Sequence, residues 1–138
     1  MTTTSTEIRA LTLWQPWASC IAYGPKRIEN RHWSTGYRGW VLIHAGRTLD
    51  RDAWNLPLAR PFLTRPQPRG AVLAVGRLVD CHPGDGYCTL WSASDQWHWK
   101  FTDVRTLRQP LLWPGARGLW APTPQLVDAV RELVMARA

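Results

Sequence analysis

Lys26, Glu29 and Arg31 fall within the run Gly24-Pro25-Lys26-Arg27-Ile28-Glu29-Asn30-Arg31. A carboxylate flanked by two cations can take a proton from water while a cation steadies a developing oxyanion, which is what amide hydrolysis requires. The same trio can instead bind a polar ligand without chemistry, or serve as a structural ion pair. Lys26, Glu29 and Arg31 are therefore the candidate catalytic residues. Just upstream, Leu13-Trp14-Gln15-Pro16-Trp17 adds an amide and two indoles. Aromatic side chains stack on nucleobases for about 1–3 kcal/mol per base. Trp17 and Trp33 flank the charged run and are the favoured stacking candidates, although with 10 Trp in the chain most must be core. His44 alternates with apolar residues and reads either as a hydrogen-bonded core histidine or as a ligand contact.

These side chains need elements to hold them. Ile8–Leu13 alternates weakly and predicts a first strand. Pro16–Tyr23 predicts a two-turn helix with Pro16 in its first turn, Gly24 in a left-handed conformation just past its end, and Ala18, Ile21 and Ala22 as its buried stripe. Arg27–Trp33 reads as extended, with Arg27, Glu29, Arg31 and Trp33 on one face and Ile28 on the other. Trp40–Ala45 follows as a strand that turns Val41, Ile43 and Ala45 away from Leu42 and His44. Thr48–Leu56 predicts a short helix capped by Thr48, with Asp50 and Asp52 at its positive end. A basic, proline-rich loop carries Arg60, Arg65 and Arg69. Gly70–Cys81 is the strongest strand and predicts a central position. His82–Gly86 is turn sequence. Trp97–Phe101 and Thr106–Trp113 predict two more strands, the second interrupted at Pro110 and so placed at an edge or bulge. Gly118–Ala121 is a last short strand, and Thr123-Pro124 starts a terminal helix with Leu126, Val130, Leu133 and Val134 on one face. Five or six short strands with a short helix near the N-terminus and another at the C-terminus indicate an α+β fold built on a small β-barrel.

Composition narrows the partner. The net charge is +7, and the cations are almost all arginine, whose planar fork suits phosphates and base edges. RNA or DNA is the first partner to consider. The expected organisation is an unstructured segment over 1–7 and a single domain over 8–138. Residues 1–10 are polar, and no apolar run is long enough for a membrane span, so a cytoplasmic protein is expected. Cys20, Cys81 and Cys88 include no pair at zinc-ligand spacing. Cys81-His82 could join Cys88 around a metal, but three free thiols are the expected arrangement, with no metal and no cofactor.

In order, the motif Gly24-x-Lys26-x-x-Glu29-x-Arg31 after Gln15-Pro16-Trp17, then Tyr37-Arg38-Gly39, Leu42-Ile43-His44-Ala45, Arg69-Gly70-Ala71-Val72, Leu78-Val79-Asp80, Trp97-His98-Trp99 and Gly118-Leu119-Trp120 resemble the ASCH domain. The likeness runs over roughly residues 11–122. It implies a PUA-like β-barrel with a cleft beside the first helix, suited to RNA or a nucleobase, with Lys26, Glu29 and Arg31 as motif positions and Gln15 and Trp17 facing the cleft. Some small bacterial members of that family are amidohydrolases that deacetylate N4-acetylcytidine. They carry Thr where this chain has Glu29 and use a further carboxylate downstream; Asp80, at a strand end, reads first as a turn former and second as that acid. The resemblance thus implies binding of RNA or a modified nucleoside first, amide hydrolysis second and a non-catalytic interaction domain third.

Overall fold

The small and β-branched residues of Ala71–His82 form the strand that the rest of the molecule is built around. In the computed structural model, which describes residues 7–84 and 88–134, six strands make one sheet. They are β1 (Arg9–Gln15), β2 (Ile28–Arg31), β3 (Gly39–Leu49), β4 (Ala71–His82), β5 (Trp97–Leu112) and β6 (Leu119–Trp120). Their spatial order is β2-β5-β4-β3-β1-β6. β1 runs parallel to β3, and every other neighbouring pair is antiparallel. Three helices accompany the sheet: α1 (Trp17–Ala22), α2 (Arg60–Leu63) and α3 (Pro124–Leu133).

Strict alternation splits the core into two layers. Leu11, Leu13, Val41, Ile43, Ala45, Leu73, Trp99 and Phe101 pack under Ala18, Ile21 and Ala22 of α1. On the other face, Ala10, Leu42, Val72, Val75 and Leu107 pack under Leu126 and Val130 of α3. Thr123 caps α3 by accepting the Leu126 N–H, and Pro124 occupies the first turn, where its missing donor costs nothing. The expected barrel is realised as a six-stranded sheet curled into a half-barrel, with β2 and β6 as its end strands.

Several local expectations are corrected. α1 begins at Trp17, with Pro16 as its N-cap. Gly24 does not take a left-handed conformation; among the described glycines Gly39, Gly70 and Gly118 do. Gly24 is required for space instead, because a Cβ there would sit 2.3 Å from Cζ of Phe62. Thr48 caps no helix. It lies within β3, and a 3₁₀ turn over Arg51–Asn55 starts from Asp50, whose side chain accepts the Asp52 N–H. The two strands read at 97–101 and 106–113 are one long β5 whose pairing with β4 shifts three times. Pro110 falls in the largest of these irregularities, between the pairs Thr106–Ala74 and Leu111–Val72, so its missing N–H breaks no ladder. The expected unstructured start lies outside the described residues apart from Glu7, as does the end of the turn read at 82–86. No helix among the described residues is long and apolar enough to cross a membrane.

Candidate functional site

The first helix ends in a way that drives a lysine inward. After α1 the chain doubles back, and the Lys26 N–H donates to the Cys20 carbonyl at 3.2 Å. Arg27 Nη1 donates to the carbonyls of Ile21, Gly24 and Lys26, satisfying acceptors that the short helix leaves open. With the backbone pinned there, the Lys26 side chain is only 2% exposed. Its Nζ donates to the Ile28 carbonyl and, at 3.1 Å, to Glu29 Oε1. It also sits 5.9 Å from the centre of the Trp17 ring. An isolated buried ammonium costs several kcal/mol, so this pairing is what makes the position tenable.

β2 presents Glu29 and Arg31 on one face and buries Ile28 on the other, as period two requires. Arg31 Nε lies 3.2 Å from Glu29 Oε2, close enough for an ion pair but off the line of a hydrogen bond. Arg31 Nη2 donates to the Thr12 carbonyl at 2.8 Å, which ties β2 across to β1. Glu29 therefore stands between two cations. Behind Lys26, burial pushes the Cys20 thiol up to about 12, with Lys26 lowering it and Glu29 raising it. Cys20 stays a protonated, unreactive core residue.

Two adjoining hollows of about 330 and 350 Å3 open onto this group. Trp17, Glu29, Asn30, Asp50 and Gln96 line both. Each hollow is at the small end of the range for ligand sites. Trp17 Nε1 donates to Asp50 Oδ2 at 2.9 Å, fixing the indole as one wall. The opposite wall is the segment before β5, which Asn30 clamps: its Nδ2 donates to the Trp91 carbonyl at 2.9 Å and its Oδ1 accepts the Ala93 N–H at 2.8 Å. Three exposed apolar side chains, Trp14, Trp33 and Leu90, rim the hollows. Trp33 is placed by an edge-on contact with Trp99, whose Nε1 donates to the Trp33 carbonyl.

Lys26, Glu29, Arg31, Trp17 and Trp33 are thus gathered at one cleft, and Gln15 and His44 are not. Gln15 is fully buried; its Oε1 accepts the Ser19 N–H and its Nε2 donates to the Pro68 carbonyl at 2.6 Å. It fastens α1 to the loop before β4 and has no polar atom left for a ligand. His44 points to the side opposite the cleft, as its alternation with Ile43 requires. Its Nε2 lies 2.6 Å from the Trp113 carbonyl, so that nitrogen carries the proton. Nδ1 then accepts from Thr12 Oγ1, which in turn accepts from Trp120 Nε1. Asp80 does not reach the cleft either, since it bonds His82 and the Cys81 N–H at the far end of β4.

Asp50 is the cleft residue that spacing could not reveal. In the sequence it is a helix-start aspartate. Only the parallel pairing of β1 with β3, which sets Gln15 opposite Leu49, carries it to Trp17. Asn30 was visible inside the charged motif, but its job depends on a partner segment 61 residues away.

Comparison with known proteins agrees with this architecture. The ASCH domain model matches residues 11–110. Activating signal cointegrator 1 of Homo sapiens, and that of Mus musculus, are each 31% identical over 80 residues, covering 51% of this chain and 14% of the relative. The chain thus spans about one-seventh of the length of these curated relatives. The crystal structure of ASCH from Zymomonas mobilis superposes with a TM-score of 0.60 at 12% identity, covering 94% of this chain and 96% of that one. A point mutant of the same protein gives 0.58 at 11% identity, covering 94% and 99%. At such identities the likeness concerns the fold alone. With the family match extending over most of its length, the chain belongs to the ASCH domain family.

Proposed function

We propose that the cleft binds RNA or a modified nucleoside, seating one base against Trp17 with Glu29 and Asp50 facing its polar edge. The observation that carries this reading is a buried, charge-compensated set at the floor of a hollow whose rim is aromatic. Glu29 and Asp50 are acceptors for the amino and imino hydrogens of a base, and the exposed rings of Trp14 and Trp33 are platforms for its neighbours. Arg31, ion-paired with Glu29 at the second hollow, and exposed Arg51, next to Asp50 in the chain, are the cations beside the cleft. They supply the charge for the phosphates on either side of the seated base.

The test is fluorescence titration with a single-stranded RNA oligonucleotide, with cytidine and with N4-acetylcytidine. RNA affinity should fall with salt at about 0.7 log units per log unit for each phosphate contacted, and nucleoside affinity should barely move. Trp17→Ala should weaken both at least tenfold while the protein stays folded. Full affinity in folded Trp17→Ala, or no binding of any of the three probes, overturns the proposal; the second result favours a domain that docks other proteins.

Amide hydrolysis is a second reading, and the position of Asp50 favours it. Two carboxylates and a lysine share one cleft, so the further acid that hydrolysis of an acylated cytidine calls for has a candidate. In that reaction Glu29 removes a proton from water as the oxygen adds to the acyl carbon. Lys26 steadies the oxyanion, and the departing amine takes up the proton, leaving acetate and cytidine. Release of cytidine from N4-acetylcytidine by the native protein, and none by folded Glu29→Gln, is the expected result. Tight binding without release leaves the protein a binding module.

A further inference from the structure

Away from Glu29, at the segment that walls the cleft, a thiol and two imidazoles converge. One ligand atom each from His82, Cys88 and His98 lies within 4.8 Å of the other two. Cys88 Sγ is 3.3 Å from His98 Nδ1. The two rings stand edge to face, with centroids 5.2 Å apart. The far nitrogen of each ring is already held by an oxygen. His82 Nδ1 is 2.8 Å from Asp80 Oδ2, and His98 Nε2 is 2.5 Å from the Ala93 carbonyl. Each bond fixes a tautomer, leaving the unprotonated nitrogen, Nε2 of His82 and Nδ1 of His98, free to ligate. That is the outer-shell arrangement metal-ligating histidines show: a carboxylate or backbone carbonyl holds the second nitrogen and orients the ring. Ser92 Oγ, 3.2 Å from Cys88 Sγ, can donate to a thiolate there.

We propose that His82, Cys88 and His98 form a zinc site with three protein ligands and one position open to water. Two imidazoles and one thiolate suit zinc better than calcium or magnesium, which want oxygen. In a tetrahedral zinc site the ligand atoms are roughly 3.3–3.6 Å apart, given Zn–S near 2.3 Å and Zn–N near 2.0–2.1 Å. A small rotation of the half-buried His82 closes the remaining gap. His98 is buried and fixed, while Cys88 is exposed, so the ion has a rigid anchor and a path in from solvent. Cys81 is not a ligand; strand alternation turns it toward the core, where it packs against the α1-side cluster. On binding, the Cys88 thiol proton passes to solvent and the Sγ–Zn bond forms, with no change in oxidation state. The sequence offered His82 and Cys88, but His98 is brought opposite His82 only by the β4–β5 register.

The site has a consequence for the cleft whatever the cleft binds. Cys88 and Ser92 belong to the same turn, and Ser92, Ala93 and Trp91 line the first hollow. Zinc on Cys88 and His98 fastens this wall from the same sheet face as Asn30, which lies opposite His98 in the β2–β5 register and also holds Ala93.

The test uses the full chain, reduced and stripped of metal, titrated with zinc and with cobalt(II). One equivalent should bind, cobalt should give the thiolate charge-transfer and strong visible bands of a four-coordinate sulfur site, and amide exchange over residues 89–93 should slow. Cys88→Ser should remove the charge-transfer band and lower affinity about a hundredfold. Asp80→Asn, which touches only the outer shell, should lower it about tenfold. His82→Asn, at the half-exposed end of β4, keeps the test decisive if Cys88→Ser misfolds; it should also lose at least tenfold. Unchanged zinc affinity in folded His82→Asn or Cys88→Ser, or no cobalt spectrum from the native chain, overturns the site. Stoichiometric binding with no slowing at 89–93 overturns the bracing of the wall.

Discussion

Gln15 and Glu29 are both polar, both buried and both placed by the turns at either end of α1, yet their hydrogen-bonding capacity ends in different places. The Gln15 amide is consumed by backbone, with the Ser19 N–H on one side and the Pro68 carbonyl on the other. Glu29 is held by side chains, Lys26 and Arg31, and borders both hollows. A buried group whose partners are backbone is scaffold. A buried charge whose partners are other charges beside a cavity can exchange one of those contacts for a ligand atom. His44, held by the Trp113 carbonyl and Thr12 away from the hollows, goes with Gln15; Asp50 borders both hollows as Glu29 does, but it is held by the Trp17 indole and the Asp52 N–H rather than by charges.

The harshest way to break this contrast is to remove the carboxylate. Glu29→Ala leaves Lys26 in the interior without its counter-charge, and loss of one partner of a buried pair costs about 3–5 kcal/mol. Urea unfolding should show that loss, and nucleoside binding should vanish with it. The double variant Lys26→Met with Glu29→Leu separates the two effects. Replacing both charges by apolar side chains is commonly neutral for stability. It should recover most of the folding free energy and none of the binding. Recovered binding in the double variant would show that the charged set only holds the cleft open.

Next in size is the backbone-satisfied class, with about 1–3 kcal/mol expected for each member, because truncation orphans buried donors and acceptors. Gln15→Ala should destabilise by that amount and, in the folded fraction, leave RNA affinity within about twofold. A tenfold loss of affinity at full folding would move Gln15 into the cleft class. His44 adds a pH signature. Burial depresses its pKa below the ordinary 6.5, with the Trp113 carbonyl pulling upward and Arg47 pushing downward. The groups facing it are Thr12 from β1, Trp120 from β6, the Trp113 carbonyl and Arg47 of its own strand, none of them acidic. The unfolded chain then binds a proton at a higher pH than the folded one. The stability His44 contributes is complete above about pH 6.5 and is lost as pH falls through its lower folded value. Thermal melts of His44→Gln should show a lower plateau near pH 7.5 and a shallower decline toward pH 5 than the native protein.

How much of this could be read in advance follows from the range over which each signal acts. Period two placed Glu29, Arg31 and Ile28 correctly, along with the two faces of β3, because alternation is a property of neighbouring residues. The same local rule put His44 opposite Ile43, yet could not say which face held the cleft. The family resemblance, not any local rule, set Gln15 facing the cleft beside Trp17. The actual partner of Gln15, Pro68, is 53 residues distant and lies in a loop with no pattern of its own. Gly24 was assigned by its helix-end position, whereas the cause is the Phe62 ring, set against it by the fold. Asp50, Asn30 and the imidazole pair all depend on strand register, which neither composition nor spacing encodes.

The smallest expected effect asks whether Trp17 serves the cleft as a ring or as a donor. Trp17→Phe keeps an aromatic face beside Lys26 but deletes the Nε1–H that meets Asp50 Oδ2. Asp50 borders open hollows, so water can replace the lost donor, and the stability change should be about 0.5–1.5 kcal/mol. If stacking dominates, RNA affinity falls only a few-fold, far less than in Trp17→Ala. Asp50→Asn is the matching control, because its amide oxygen still accepts from Trp17 while its charge is gone. A large loss in Asp50→Asn beside a small one in Trp17→Phe would mean that the carboxylate itself meets the ligand. The reverse ranking would place Asp50 with Gln15, as a residue that positions its neighbour and touches nothing else.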